Sequence, residues 1–186
     1  MRRTVRALLI LVGVIIAASC DRLPLVNDKP RTITLAGGEV VLAAPAGYCI
    51  DTGNSKDQGV QGGFALISSC RSLLGVAATP AIITVSVGPK VSVEQVSSAA
   101  FANALGNPAV LASEETDMVS LLHIANGGQE TLPGGDERYW RAIRVVSGRL
   151  VSMALYAPKG ASEAQANGSI ILKTLANNLY VPGPQV

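Results

Sequence analysis

The stretch 137-ERYWRAIRVVSGRLVSMALYA-157 carries the clearest fold signal in this sequence. Two runs rich in β-branched and aromatic residues flank Ser147-Gly148, a dipeptide that suits a two-residue turn between antiparallel strands. Pairing across this turn predicts one mostly apolar face that meets the core and one mixed face that is half covered. The apolar face comprises Trp140, Ala142, Arg144, Val146, Arg149, Val151, Met153 and Leu155. The mixed face comprises Tyr139, Arg141, Ile143, Val145, Leu150, Ser152, Ala154 and Tyr156.

Shorter β-rich runs precede this hairpin, and turn residues separate them. The predicted strands are 32–35, 39–43, 64–68, 81–87 and 117–124. The first two flank Ala36-Gly37-Gly38 and predict a second hairpin. Polar, glycine-rich stretches at 51–63 and 126–135 predict surface loops. The segment 110–117 has no clear assignment.

Two helices are predicted, and each begins at a Ser-x-x-Gln capping box, in which the two side chains satisfy free backbone groups. The boxes start at Ser92 and Ser162, and apolar side chains then recur at helical spacing. The first stripe is Val93, Val96, Ala100, Phe101 and Ala104, before Gly106 and Pro108. The second stripe is Ala164, Gly168, Ile171, Leu172, Leu175 and Leu179. Glycine inside a helix costs about 1 kcal/mol relative to alanine, so we expect Gly168 to allow a close approach of helix and sheet.

Together these elements predict an α+β fold in which two or more helices pack on a mainly antiparallel sheet. Residues 32–186 are enough for a single domain with a sizeable core. The order of hairpin, Pro-Lys turn, Ser-x-x-Gln box and helix occurs twice, with Pro89-Lys90 and Pro158-Lys159 in corresponding places. This order suggests two ββα units that form one sheet with both helices on one face. Coincidence between two parts of an ordinary α+β fold is the alternative.

The amino terminus has the parts of an export signal. Arg2, Arg3 and Arg6 precede an uncharged run, 7–18, which spans about 18 Å as a helix and is short for a hydrocarbon core of ~30 Å. The next residues, Ala-Ala-Ser-Cys at 17–20, resemble the lipobox of bacterial lipoproteins. The resemblance implies a lipid thioether on Cys20, removal of the signal peptide 1–19, and acylation of the new amino terminus, for example with palmitate. Ordinary signal-peptidase cleavage is the alternative.

Residues 20–31 follow the predicted cleavage site and contain two prolines and five charges, which is typical of a tether. Asp21 resembles the signal that keeps some lipoproteins in the inner membrane, and the choice between inner and outer membrane stays open. We therefore expect a protein anchored in the bacterial cell envelope through lipid on Cys20 and facing the periplasm. Removal of the signal leaves 12 basic against 13 acidic residues, so no basic field remains to attract nucleic acid.

The other two cysteines, Cys49 and Cys70, form an even pair in a compartment where disulfides persist. A bridge between them would restrain the intervening loop and contribute roughly 3 kcal/mol through chain entropy. Two buried thiols or a redox pair are the alternatives, although the sequence contains no Cys-x-x-Cys motif.

A strand followed by Pro45-x-Gly47-Tyr48, the late hairpin, and a terminal helix that runs into an apolar tail are similar to the PsbP-type α/β/α sandwich family. That family includes exported and lipid-anchored bacterial proteins. The resemblance covers most of the domain, and the two cysteines are not part of its pattern. It implies an antiparallel sheet flanked by helices, and a role in assembly or binding instead of catalysis.

The most concentrated group of aromatic and cationic side chains is Tyr139, Trp140, Arg141, Arg144 and Tyr156. Tryptophan, tyrosine and arginine supply much of the binding energy at protein interfaces. These five residues therefore predict a surface for a partner or a ligand. A core tryptophan with arginines at the rim of the sheet is the alternative interpretation.

His123 is the only histidine, so a Ser-His-Asp site would have to use it. Strand alternation would instead make it a half-exposed sheet residue on the face opposite Leu122 and Ile124, and no serine lies in a Gly-x-Ser-x-Gly elbow. We therefore predict a non-enzymatic envelope lipoprotein that binds an envelope protein or a small ligand. An envelope hydrolase that uses His123 is the second hypothesis.

Glu114, Glu115 and Asp117 form a small acidic cluster that lacks the spacing of a cation-binding loop. We interpret the cluster as a solvated face. No metal ion and no cofactor are expected.

Overall fold

The computed structural model describes residues 29–75 and 81–183, so the predicted signal, Cys20, Asp21 and most of the predicted tether lie outside the described residues. The fold is α+β, as predicted, and contains two antiparallel sheets and four helices. None of the helices in the described ranges has both the length and the apolar composition needed to cross a membrane.

Ten strands form the two sheets. A small sheet has the order β1-β2-β10, and a seven-stranded sheet has the order β3-β4-β5-β9-β8-β7-β6. The strands are β1 Thr32–Leu35, β2 Val40–Ala43, β3 Tyr48–Asp57, β4 Gly63–Ser69, β5 Ile82–Lys90, β6 Val110–Glu115, β7 Ser120–Ile124, β8 Tyr139–Val146, β9 Arg149–Tyr156 and β10 Leu179–Tyr180. The helices are α1 Cys70–Leu73, α2 Ser98–Ala104, α3 Gly128–Thr131 and α4 Ala166–Asn177.

The β8–β9 hairpin has the predicted register. Trp140 pairs with Leu155 and Val146 pairs with Arg149 across a two-residue turn. Both turn residues have a left-handed backbone conformation, with φ of 54° at Ser147 and 70° at Gly148. A two-residue turn in a twisted hairpin requires this conformation. The smaller hairpin of β1 and β2 is also confirmed.

The core has two parts, one on each face of the seven-stranded sheet. The main part lies between this sheet and a layer made of α4 and the small sheet, and it includes Leu121, Trp140 and Leu172. The second part is smaller and comprises Phe101, Leu122, Ile124 and Ile143. Neighbouring strand residues point to opposite faces, so α2, which carries Phe101, and α4 lie on opposite sides of the sheet. The expectation that both helices lie on one face is therefore wrong.

Arg149 connects the two sheets. Its side chain is buried, and its Nε donates to Glu39 Oε2 at 2.9 Å in the turn between β1 and β2. Its Nη1 donates to the carbonyl oxygens of Val60 and Gly88, each at 3.1 Å. Lys90 reaches the same Glu39 oxygen at 3.2 Å from an exposed position.

The predicted start of the first helix is wrong. The helix begins six residues after Ser92, and its cap is Ser97, whose hydroxyl oxygen accepts from the Ala100 amide at 3.2 Å. The Gln95 side chain donates to the Thr116 carbonyl at 2.8 Å instead of reaching back to a helix start. The segment before α2 thus binds to the turn between β6 and β7.

The second helix also begins later than predicted. Residues Ser162–Ala164 form a single 3₁₀ turn, and α4 starts at Ala166 without a side-chain cap. The carbonyl oxygen of Gln165 accepts a hydrogen bond from Trp140 Nε1 at 2.7 Å. The predicted close approach at Gly168 is confirmed, because a Cβ atom there would lie 2.3 Å from Trp140 Cδ1.

The predicted loops contain more regular structure than their composition indicates. β3 continues to Asp57 with an irregular step between Asp51 and Lys56, where the Asp51 carboxylate accepts from the amides of Gly53 and Asn54. The second loop contains the single turn of α3. β7 starts at Ser120 and not at residue 117, and residues 110–115, unassigned from sequence, form β6.

Candidate functional site

The five residues of the predicted partner surface lie on two different faces of the seven-stranded sheet. Trp140 and Arg144 face the main core, whereas Tyr139, Arg141 and Tyr156 face the side that α2 partly covers. The structure therefore does not bring all five together. Their closeness in sequence reflects the two-residue alternation of a strand.

Trp140 and Arg144 have structural partners that account for their positions. Trp140 is 3% exposed, and its indole donates to the Gln165 carbonyl that precedes α4. Arg144 Nη1 donates to the Ala176 carbonyl in the last turn of α4 and, at 3.4 Å, to the Leu179 carbonyl. Burial lowers the pKa of the Arg144 guanidinium. Both side chains attach α4 to the sheet.

His123 lies on the face opposite Leu122 and Ile124, as strand alternation predicts. Its ring stacks on Trp140 with 4.3 Å between centroids, and its Nε2 lies 3.0 Å from the Ala164 carbonyl oxygen. A carbonyl can only accept, so Nε2 carries the proton and Nδ1 carries the lone pair in the neutral ring. Burial lowers the pKa of His123, which favours this neutral form. Among the described residues, the hydrogen bond of this ring is to a carbonyl and its ring stack is on an indole, and the charges of Asp136 and Arg138 act on it without a hydrogen bond.

The other side of the hairpin presents two stacked tyrosines and an arginine. The rings of Tyr139 and Tyr156 lie 5.1 Å apart between centroids, and burial raises the pKa of the Tyr139 hydroxyl. Arg141 Nη2 donates to Ser152 Oγ at 3.1 Å. The Nε of Arg141 is buried and has no hydrogen-bond partner in the described part of the chain.

Part of this sheet face is not fully covered, and we call it the open face. Among the described helices, α2 packs over β6 and β7, and α1 lies at the end of β4. The middle of β4, β5 and β9 keeps side chains that are half-buried or, at Ser86, exposed. The open face consists of Phe64, Leu66, Ile82, Thr84, Ser86, Arg141 and Ser152. It is an apolar surface with hydroxyl groups and the Arg141 guanidinium, and the exposed Lys56 lies at its edge, opposite Phe64.

A cleft of about 410 Å³, lined by both charged and apolar residues, lies at one end of the large sheet. Asp136 is buried beside it and accepts from Arg138 Nε at 2.9 Å, from Arg138 Nη2 at 3.0 Å and from the Gly160 amide at 3.1 Å. The Arg138 guanidinium holds the pKa of Asp136 far below its usual range. Arg138 Nη1 also donates to Gln165 Oε1 at 3.1 Å. This network fastens the loops on either side of the β8–β9 hairpin and the start of α4.

Sequence reasoning missed the Asp136 network. Gly134-Gly135 before it predicts only a turn, and no motif connects Asp136 with Gly160 or Gln165. The available signal is the Asp-x-Arg spacing, which places Arg138 two residues after Asp136 and lets one side chain fold back on the other. That spacing is too common to predict a network.

Two members of the acidic cluster, Glu114 and Glu115, accept hydrogen bonds from other residues of this chain. Glu114 accepts from Lys173 Nζ at 2.7 Å, and this contact lowers the pKa of the Glu114 carboxyl. Glu115 accepts from the Ser98 amide at 2.9 Å at the start of α2, which lowers the pKa of its carboxyl. Residues 29–75 and 81–183 contain no group of three or more potential metal ligands.

The predicted disulfide is present between Cys49 in β3 and Cys70 at the start of α1, with 4.8 Å between their Cα atoms. The chain reaches the domain next to this bridge. Cys49 Sγ lies 3.7 Å from the carbonyl oxygen of Lys29, and the Ile50 amide donates to the Pro30 carbonyl at 2.8 Å. The end of the predicted tether therefore runs along the outer edge of β3.

The chain matches no protein-family model and no curated protein. Its function therefore has to be inferred from its own residues.

Proposed function

We propose that this protein is a non-enzymatic, lipid-anchored binding module of the bacterial cell envelope that faces the periplasm. The observation that supports the proposal is the pairing of the cysteines. The bridge uses Cys49 and Cys70, which leaves Cys20 as the remaining thiol, directly after a basic, apolar and small-residue signal. A disulfide fits an oxidising compartment, and a lipid on Cys20 would hold the domain at the membrane.

The distance between anchor and domain is short in this proposal. Eight residues lie between Cys20 and Lys29, and a fully extended segment from one to the other spans at most about 30 Å. The domain would therefore stay close to the membrane and meet partners that are themselves membrane-bound or periplasmic. Asp21 favours the inner membrane weakly.

Binding is favoured over turnover by the open face. It presents apolar side chains and the Arg141 guanidinium side by side on rigid strands, and arginine is one of the residues that dominate interface hot spots. The occupant would be an envelope protein or a small ligand, and no cofactor is required. The hydrolase alternative depends on His123 Nδ1, because Nε2 already faces the Ala164 carbonyl.

Labelling with radioactive palmitate tests the anchor. The full chain, expressed in a bacterial host with its signal, should incorporate label and fractionate with membranes, and Cys20→Ala should do neither. The matched control is the double variant Cys49→Ala and Cys70→Ala, which should keep the label. Label that persists in Cys20→Ala would refute Cys20 as the lipid site.

Replacement of His123 by alanine tests the alternative. With ester, amide and phosphoester substrates, we expect the wild type and His123→Ala to show the same background rates. A turnover that His123→Ala abolishes, while the variant keeps its disulfide and melting temperature, would replace the binding proposal with a hydrolase.

A further inference from the structure

We propose that the open face binds an apolar segment of a partner protein that carries one carboxylate, and that this carboxylate pairs with Arg141. The inference deepens the proposed binding function and rests on it. It names the chemistry of the partner and the residue that recognises it.

The surroundings of Arg141 provide the first argument. Lys90, Arg138, Arg149 and Lys173 each lie within 3.2 Å of a carboxylate oxygen. Arg141 and Arg144 are both half-buried without a carboxylate partner among the described residues, but Arg144 donates to two backbone carbonyl oxygens, whereas the one acceptor of Arg141 is the neutral Ser152 hydroxyl. The Nε of Arg141 is shielded from water and unpaired. A cation that has lost part of its hydration without gaining a counter-charge is energetically unfavourable, so a carboxylate at the remaining Nη atoms compensates it.

The residues around Arg141 provide the second argument. Phe64, Leu66 and Ile82 alternate along β4 and β5 with core residues, yet they remain half-buried. Ser86 pairs with Ser152 in the neighbouring strand and is exposed. An apolar surface next to a single guanidinium suits an apolar partner segment with one acidic side chain. Exclusion of water by the apolar contacts would strengthen the ion pair.

A second copy of this chain does not supply the missing charge. A two-fold dimer through the open face would present the same residues from both sides. Asp51 lies at the edge of this surface, where it pairs with Leu66 across β3 and β4. Its oxygens already accept from the Gly53 and Asn54 amides and from Asn54 Nδ2. The open face therefore has a cation to pair, and none of the seven residues that form it carries a carboxylate.

The test uses a zero-length carbodiimide reagent, which joins a primary amine to a carboxylate in direct contact. The full-length variant Arg141→Lys is expressed with its signal in its own host, and membranes are treated with the reagent. We expect a cross-linked product in which the amine introduced at position 141 is joined to an aspartate or glutamate flanked by apolar residues of another protein, as read by mass spectrometry. The matched control is Thr174→Lys, an exposed position on α4, which should give no such product.

A peptide with the captured sequence then tests affinity. It should bind the full-length wild type at least tenfold more tightly than Arg141→Met, and replacement of its acidic residue by the amide should cause a similar loss. If Arg141→Lys does not fold, the photoreactive residue benzoylphenylalanine in place of Ser86 should capture the same partner segment. Arg141→Met should then reduce this cross-linking at least tenfold.

Three results would overturn the proposal. The folded variant could form no cross-link at position 141, it could cross-link to a second copy of this chain, or it could cross-link to a lipid headgroup. Failure of the anchor is a separate outcome, since palmitate labelling reports on Cys20 whether or not position 141 forms a cross-link.

Discussion

At the scale of single residues, Gly168 lowers the stability of the α4 helix itself, and the close packing of α4 on the sheet explains why a glycine is there. Alanine in a helix interior is about 1 kcal/mol more favourable than glycine, yet a Cβ atom at this position would lie 2.3 Å from both the Glu163 carbonyl oxygen and Trp140 Cδ1. We expect Gly168→Ala to lower the free energy of unfolding by about 1–3 kcal/mol in urea, because overpacking displaces α4 from the sheet.

The control for this substitution is Gly53→Ala. A Cβ atom there would meet Asp51 Oδ1 at an ordinary 3.4 Å, and we expect a change within about 0.5 kcal/mol. Equal effects of the two substitutions, or a more stable Gly168→Ala variant, would contradict the role of close approach.

Asp136 predicts a pH dependence of stability. Its pKa is lowered in the folded protein mainly by the Arg138 guanidinium, so its contribution is present above the ordinary aspartate pKa near 4 and is lost as the pH falls. Because Arg138 is partly exposed, we expect Asp136→Asn to cost about 1–2 kcal/mol at pH 7. The difference from the wild type should shrink below about pH 4 in urea unfolding measurements.

Asp117→Asn is the matched control, because Asp117 is exposed and forms no ion pair among the described residues. It should leave the unfolding curves nearly unchanged at both pH values. A difference between wild type and Asp136→Asn that stays constant from pH 7 to pH 3 would contradict the assignment.

The candidate surface shows which part of a site a sequence can predict. Alternation in the β8–β9 hairpin assigns Tyr139, Arg141 and Tyr156 to one face and Trp140 and Arg144 to the other, and the structure agrees. The grouping of all five relied instead on closeness in sequence. The missing charge partner of Arg141 could not be predicted, because it depends on which neighbouring strands carry acidic residues.

At the scale of elements, helix starts are the least predictable feature of this chain. Ser92-x-x-Gln95 has the composition of a capping box, but Gln95 binds the Thr116 carbonyl, and the Ser120 hydroxyl binds the Val96 carbonyl at 2.6 Å. These long-range hydrogen bonds replace the local ones of a capping box, so α2 begins only after its cap at Ser97. No local pattern reports on partners that lie more than 20 residues away in sequence.

Two serine substitutions test where α2 begins. Ser97→Ala should destabilise the protein by about 1 kcal/mol, because its hydroxyl oxygen satisfies the Ala100 amide. Ser92→Ala should change stability by less than about 0.5 kcal/mol, because Ser92 is exposed and lies outside the helix. Thermal unfolding of the two variants distinguishes the two starts, and a larger effect of Ser92→Ala would favour the capping box at 92–95.

At the scale of the whole molecule, Arg149 joins the two sheets. The sequence predicted only which face of the hairpin it lies on. Arg149→Met would leave the Val60 and Gly88 carbonyls without their donor and Glu39 without its buried partner. We expect a loss of about 2–4 kcal/mol in urea unfolding, because the buried guanidinium makes three hydrogen bonds and a hydrogen bond to a charged group contributes about 1.5–3 kcal/mol before water replaces part of it at the exposed acceptors.

Lys90→Met is the matched control, because Lys90 contacts the same Glu39 oxygen from a side chain that is 62% exposed. Exposed ion pairs contribute little, so the expected change is within about 0.5 kcal/mol. Comparable losses in the two variants would show that the charge of Glu39, and not the buried hydrogen bonds of Arg149, connects the sheets.

The architecture was predictable to the level of its class and its clearest hairpins. Alternating apolar residues define β4, β5, β8 and β9, and the same pattern defines the face that meets the main core. The positions of the helices on opposite faces of the sheet were not predictable. The apolar stripes on α2 and α4 indicate that each helix packs against the sheet, but they do not indicate which face it packs on. β3 was not predicted at all, because its first residue follows a Pro-x-Gly turn and residues 51–57 have the composition of a loop.

The position at which the chain joins the domain has a mechanical consequence. β3 is an edge strand, and Lys29 and Pro30 run along its outer side. If the proposed anchor pulled on the chain, the tension would first act on the bond from the Ile50 amide to the Pro30 carbonyl and would then enter β1, which begins at Thr32. The bond from Cys49 to Cys70, which directly follows β4, joins β3 covalently to the end of its neighbour, so loss of the contact at Pro30 would not by itself separate β3 from β4.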